Sequence, residues 1–473
     1  VAEAVMRGVR STLVLFVLAV GLGGYAYFIE AERPAAPPEA PLDTVFDFEA
    51  DEITAVTVTA ENGDRTVVDK TDARWRLVEP FEGNVEVTAV VGLTSSLATL
   101  EMQRVVAEPD DNADLATFGL DQPRITVGVT TATGVDTSLL IGERTPTGGD
   151  VYATLDGSNR VFLMSGFLDD TFNQTTFDLR DKTILDFISD QVEGLEINGD
   201  EVAVQLRKTD NRWALTSPIA AQADFGTTDG VVGRLGNGRF ATVEAESTDD
   251  LTQYGLAPPR LRVDVRLTGS TATLLVGSAA GPGLIYARDE ARELVFTVDE
   301  TLVGELTQSA EAYRRKDLFG FRPFNAESLS IERNGETWSF EKTESTAGET
   351  ETTVWRRRSP DAAEVDTVAM EDLLAKLSNL RAESFVGSRD STGLALPIAS
   401  IQVTFSDSAD ISSDERVIVG RPGPDDTDPD PVFAVNGDEP GAARLNTRAW
   451  DDAMEALDAL DALPAPDAAG TPR

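Results

Sequence analysis

Apolar residues alternate with polar ones at Ile125/Val127/Val129, at Leu261/Val263/Val265 and at Ile401/Val403/Phe405, a period of two that predicts half-buried strands. Upstream of each strand the apolar positions recur at steps of three and four instead. Val90, Leu93, Leu97 and Leu100 form such a stripe in the first case, and Leu373, Leu377 and Leu380 in the last, which predicts one amphipathic helix in each. Acidic Glu371 and Asp372 sit early in the last helix, where the helix dipole favours them. In the middle copy Gly230, Gly233, Gly236 and Gly238 interrupt the stripe. Each glycine weakens a helix by about 1 kcal/mol relative to Ala, so a short or irregular helix is expected there.

Further landmarks follow the same order in three successive stretches. Trp75, Trp213 and Trp355 lie 138 and 142 residues apart, each five positions ahead of a proline, Pro80, Pro218 and Pro360. Gly119-Leu120, Gly255-Leu256 and Gly393-Leu394 each precede a proline by three residues. After the alternating strand comes an apolar triplet ending in Gly142, Gly277 or Gly420, then Val151-Tyr152-Ala153, Ile285-Tyr286-Ala287 or Val432-Phe433-Ala434. Self-similarity at a fixed period marks a repeat architecture. Fresh strands begin at Ile53, Val192 and Leu329, which sets repeat units at residues 44–185, 186–323 and 324–463, with a disordered tail at 464–473. A last helix closes each unit, at Phe167–Asn173, Glu300–Gln308 and Thr447–Leu460. Asn62-Gly63, Asn198-Gly199 and Asn334-Gly335 read as hairpin turns at one place in successive units, with Asn436-Gly437 a fourth. The fold class is therefore α+β: three tandem strand-rich units whose antiparallel hairpins pack on an amphipathic helix, with each Trp in the core beneath it.

Ahead of the repeats, Ser11 to Ile29 carries no charge over 19 residues. As a helix it spans about 30 Å, the thickness of a bilayer's hydrocarbon core. Arg7 and Arg10 precede it, Glu30 and Glu32 follow, and Tyr25 and Tyr27 lie near its outer end. This predicts residues 1–10 inside, a transmembrane helix at 11–29, a Pro-rich spacer at 30–43 and everything beyond outside the cytoplasmic membrane. A cleaved signal peptide has a shorter apolar core and a small-residue cleavage site, which Phe28, Ile29 and Glu30 do not supply.

Composition narrows the chemistry. The chain has no Cys and no His, which excludes disulfides, Cys/His metal sites, thiol nucleophiles and imidazole bases. Its 82 acidic residues against 40 cations leave a formal charge of −42, which repels phosphate backbones, so no nucleic-acid partner is expected. No phosphate-binding loop, dinucleotide fingerprint or hydrolase elbow is present, and no cofactor is expected. Asp426, Asp428 and Asp430 within Gly423–Pro431 alternate as in a calcium loop. An EF-hand, however, needs Gly where Pro431 stands and Glu where Gly437 stands, so a solvated acidic loop is the expectation.

Cations are scarce, so their clusters are the candidate sites. Arg180 and Lys182 close the first unit; Arg314, Arg315 and Lys316 close the second. They suit either ion pairing between neighbouring units or docking of an acidic partner. Arg356-Arg357-Arg358 reads as a solvated edge strand.

Taken together, the anchor, Trp75 to Pro80 and Trp213 to Pro218 (W-x-L-x-x-P), Phe118 to Arg124 and Tyr254 to Arg260 ((F/Y)-G-L-x-x-P-R), and Leu179 to Lys182 (L-R-D-K) resemble the bacterial family of domain of unknown function 4340. The third unit departs from the pattern, with Arg357 and Ile398 where Leu and Arg stand in the motifs. The resemblance implies a membrane-anchored protein associated with ABC-2 and gliding-motility-type transporters, and it assigns no catalytic residue. The resulting expectation is a non-enzymatic extracytoplasmic accessory protein that binds an ABC-type permease, its auxiliary membrane proteins or its substrate. The alternatives are a carboxylate-dependent envelope polysaccharide hydrolase and a structural or adhesive spacer.

Overall fold

The computed structural model describes residues 42–462 apart from 112, 348–349, 407–411 and 423–430. The apolar run 11–29, the spacer ahead of residue 42, the aspartates of the acidic loop and the tail beyond residue 462 thus lie outside the described residues. Among the described residues no helix is long and apolar enough to cross a membrane. The chain separates into two compact units, one ending at Asp181 and the other beginning at Lys182. The first unit holds one sheet and the second holds two.

In the first unit nine strands run in chain order as Ile53–Thr59 (β1), Arg65–Thr71 (β2), Arg74–Glu79 (β3), Gly83–Asn84 (β4), Arg104–Ala107 (β5), Ile125–Thr131 (β6), Asp136–Arg144 (β7), Asp150–Leu155 (β8) and Val161–Ser165 (β9). They pair antiparallel in the order β4-β3-β2-β1-β6-β7-β8-β9-β5. The second unit repeats this nine-stranded order twice, from Val192–Gly199 to Val295–Asp299 and from Ala326–Arg333 to Ala442–Leu445. All three sheets open the same way, with a bulge in the first strand after Ile53, Val192 or Ala326. The strand-rich α+β class and the repetition read from the sequence are what the chain has.

One face of each sheet is apolar because the period-two residues all point to it, and the amphipathic helix covers that face. The helices are Val87–Ala98, Phe225–Asn237 and Thr367–Ser378. The middle one is not short or irregular, as its glycines suggested, and is the longest of the three. Val231, Val232 and Leu235 are buried on the sheet and the Asp224 carboxylate accepts from the Thr227 N–H, so packing and capping outweigh propensity. Gly230 and Gly233 face open space, and the helix ends where a Cβ on Gly238 would meet the Arg234 carbonyl at 2.2 Å.

The closing helices stand where the sequence places them, with a second short piece added in two of the repeats. In the first two repeats each is two short pieces, Leu168–Phe172 with Thr176–Leu179 and Glu300–Leu306 with Ala310–Tyr313, whereas the third has one helix, Thr447–Ala462. The Asn-Gly pairs do not occupy one turn type. Asn334-Gly335 makes a two-residue hairpin with both φ positive, Asn62-Gly63 lies in a longer loop, and Asn198-Gly199 ends a strand.

Packing explains the landmarks. Pro80, Pro218 and Pro360 each follow a cis peptide bond at the end of a repeat's third strand. Trp213 and Trp355 are buried, while Trp75 is half-buried against the core. The Gly-Leu motif and the apolar triplet touch. Gly119, Gly255 and Gly393 take positive φ, and a Cβ on Gly142 or Gly277 would lie 2.2 or 2.1 Å from the Phe118 or Tyr254 carbonyl oxygen. The aromatic ahead of the first glycine then rests on the tyrosine of the next motif, Phe118 on Tyr152 with centroids 4.9 Å apart and Tyr254 on Tyr286 at 5.0 Å.

Candidate functional site

The basic clusters fall where the chain leaves one repeat and joins the next, and their main chain does most of the work. Leaving the first repeat, Arg180 bridges Val85 beside β4; the Glu86 N–H donates to the Leu179 carbonyl at 2.8 Å and the Asp181 N–H to the Asn84 carbonyl at 3.0 Å. Leaving the second, Arg314 bridges Ala223 in the same way, with the Asp224 N–H donating to Tyr313 at 2.8 Å and the Arg315 N–H to Gln222 at 2.9 Å. The next residues open a new repeat. Thr183 bridges Arg239 and Asp317 bridges Arg381, as Thr44 bridges Glu101 at the start of the first repeat.

The side chains have separate fates. Arg180 is buried with its guanidinium 4.5 Å over the Phe81 ring, and Lys182 is half-buried. Arg314 is buried, 3.8 Å over Phe385 and 3.2 Å from Glu439, both in the third repeat. Arg315 pairs with Glu415 of that repeat at 3.0 Å, and the other Glu415 oxygen accepts from the Gly320 N–H at 2.6 Å. Lys316 alone of the five is exposed. Next to it the buried Tyr313 hydroxyl is pushed up to about 12 by desolvation, with the Glu305 charge adding to it.

A second concentration of charge was not visible in the sequence. Asp169 is buried in the first repeat, with Arg124 at 2.9 Å and Arg144 at 2.5 Å, and Glu61 lies 3.2 Å from Arg124. Burial works against the Arg124 charge, but Asp169 and Glu61 more than offset it and hold the guanidinium above its ordinary value. Strand register gives the counterparts. Val151, Ile285 and Val432 pair with Met164, Val298 and Leu445, and five residues beyond these stand Asp169, Val303 and Trp450. Arg124 corresponds likewise to Arg260 and Ile398, whose N–H groups donate to the equivalent carbonyls of Ile141, Val276 and Val419.

Three of the six lysines also recur once in each repeat, a signal their spacing held. Lys70, Lys208 and Lys342 stand directly across from Trp75, Trp213 and Trp355 on the neighbouring strand. The Lys208 ammonium is 5.5 Å above the Trp213 ring and 3.5 Å from Asp229, which accepts from the Trp213 Nε1–H at 3.4 Å.

On the second repeat's outer face a cleft of about 610 Å³ is lined by Glu193, Glu196, Gln205, Arg207, Thr216 and Arg266, among others. Two of its charges engage one another: Glu196 pairs with Arg266, and that bond with one from Asn198 holds the carboxylate below its usual value. Arg356–Arg358 lie on the strand Thr350–Ser359, next to the two-residue edge strand Ala363–Glu364, and Arg358 pairs with Glu341 at 2.9 Å. Among the described residues no group of three acids is placed to hold a metal ion.

Three copies of one antiparallel sheet, joined by segments that close one copy and open the next, define a tandem-repeat α+β protein. The chain belongs to the family described as Domain of unknown function (DUF4340), which matches residues 75–218 and 213–397, more than half of its length. The two matches start at Trp75 and Trp213, so the family's frame runs from the middle of one repeat to that of the next. No curated protein and no solved structure matches the chain.

Proposed function

We propose that this protein is a non-enzymatic accessory subunit, anchored by the apolar segment 11–29 in the cytoplasmic membrane, that carries its repeats outside and binds an ABC-type permease or the permease's auxiliary proteins. The observation that supports this best is the use of charge. The concentrated charges, at Asp169, Arg314, Arg315 and the second-repeat cleft, are paired with one another and rigidify the repeats. Such an arrangement builds a stiff scaffold with large polar sheet faces, which suits binding more than bond cleavage.

The test is affinity purification of the detergent-solubilised full chain from its native membrane. Recovery of a permease with its ATPase is the expected result, and recovery of the chain alone in several detergents overturns the reading. Protease accessibility in spheroplasts checks the topology independently. Degradation of the repeats without lysis is expected, and protection places them inside.

A further inference from the structure

Two of the three repeats have their short edge strand closed by the chain that follows it, and in the third no described residue closes it. Register aligns Asn84-Val85-Glu86 with Gln222-Ala223-Asp224 and with Glu364-Val365-Asp366. In the first two triplets the outward carbonyl of the first residue accepts from the Asp181 or Arg315 N–H, and the outward N–H of the third donates to Leu179 or Tyr313. In the third repeat Val365 makes the inward bond, its N–H donating to Trp355 at 3.0 Å as the Ala223 N–H donates to Trp213. The Glu364 carbonyl and the Asp366 N–H, however, have no hydrogen-bond partner among the described residues, and both residues are exposed. The helix Thr447–Ala462 stands where the short closing helices stand elsewhere, and no described residue returns to the edge.

We propose that the edge Glu364–Asp366 is a docking slot for an extended basic segment of a partner protein, which adds one β-bridge centred on an arginine. The chain itself supplies the pattern, since the bridging residue in both closed copies is Arg, preceded by an apolar residue, Leu179 or Tyr313. Charge points the same way. Where Phe81 lies beneath Arg180, the third repeat places Asp361, and with Glu364 and Asp366 it sets three exposed acidic residues along the slot, of which Glu364 stands across from Arg356 and Asp366 caps the helix by accepting from the Ala369 N–H. An open edge with free outward groups is a template for strand addition, in which main-chain bonds give affinity and flanking side chains select the sequence. A second copy of this chain is the poorer occupant, because its own Arg180 and Arg314 segments are already bridged. The slot does not depend on the partner being a transporter.

The probe is a fluorescent peptide of residues 312–318, titrated into the full detergent-solubilised protein, with anisotropy as the readout. Saturable binding is expected. It should weaken at least tenfold with Asp361→Lys/Glu364→Lys and with the peptide's Arg314→Glu form, and stay within twofold for the remote control Asp121→Lys/Asp190→Lys. Asp366→Pro, compatible with the φ of −61° at that residue, removes the N–H and should also abolish binding. Since it removes a helix cap too, its fold is checked by circular dichroism, and the Lys variants carry the test if it unfolds. Hydrogen exchange of the Asp366 amide should slow at least tenfold at saturating peptide. No saturable binding, equal weakening by the remote control, or an unprotected Asp366 amide overturns the proposal. So does tighter binding on deletion of residues 463–473, which would make the chain's own tail the occupant.

Discussion

The first repeat buries a carboxylate between two guanidinium groups, and the other two put a buried apolar side chain, Val303 or Trp450, at the carboxylate's position. At the positions of Arg124 and Asp169 the second repeat has Arg260 and Val303 and the third has Ile398 and Trp450; at that of Arg144 the second has Ala279, and in the third Arg421 pairs with Asp451, next to Trp450. All three nonetheless close the same nine-stranded sheet. The ionic cluster is therefore not what makes the fold. Its loss in the second repeat leaves Arg260 exposed, while Val303 is buried without a charge to neutralise. Buried ion pairs contribute little net stability compared with well-packed apolar groups, but removing one partner is costly because the other stays desolvated.

The comparison is sharpest at that cluster. Asp169→Ala should destabilise the first compact unit by about 3 kcal/mol, the low end of the range for a broken buried pair because Arg144 is half exposed. The triple replacement Arg124→Ile, Arg144→Ala and Asp169→Val, which copies residues of the other repeats, should recover most of that loss. Denaturant midpoints of the two variants decide it, and a triple no better than the single would show that the pair itself carries stability.

Gly277→Ala comes next. Its Cβ would meet the Tyr254 carbonyl, an overpacking that costs about 1–3 kcal/mol, and Gly142→Ala should match it in the first unit. A melting shift confined to one of the two would mean that the shared motif is not shared packing.

A smaller effect separates the closing segments, where Tyr313 in the second repeat takes the position of Leu179 in the first. The Tyr313 pKa is raised in the folded state, so its protonated form is favoured there. The stability this contributes is complete below about pH 10, the unfolded value, and is lost as pH rises toward about 12. The loss should be about 2 kcal/mol, seen in urea titrations at successive pH values. Tyr313→Leu should remove that alkaline dependence.

Smallest, and opposite in sign, Gly230→Ala and Gly233→Ala should each stabilise the second repeat by about 0.5–1 kcal/mol, since both face open space in a formed helix. Unchanged thermal unfolding would mean that the helix glycines have a role the packing does not reveal.

Much of the fold was legible because repetition multiplies weak signals. One Trp-to-Pro spacing is uninformative, but three in register with three Gly-Leu pairs locate the copies. The basic linkers stood out through the scarcity of cations. The helix over Phe225–Asn237 was misread because propensity counts glycines and cannot weigh Val231, Val232 and Leu235 pressed on a sheet. The Asp169 cluster was illegible because its members are separated by 20 and 25 residues and meet only when the strand edges curl together. Arg124 belongs to a sequence motif that does not contain its partner, and among 82 acids none stands out.

By itself, then, the order of residues determined the repeat, its α+β character, its acidity and the chemistries it lacks, since these depend on local periodicity and on counts. Only the tertiary structure decided which charges are buried, which glycines touch a carbonyl and which edges are closed. Those properties depend on residues brought together from distant strands. They are also what distinguishes the three copies, as does the edge at Glu364–Asp366, which no described residue closes, because the segment that closes the edge in the first two repeats has no counterpart among the described residues of the third.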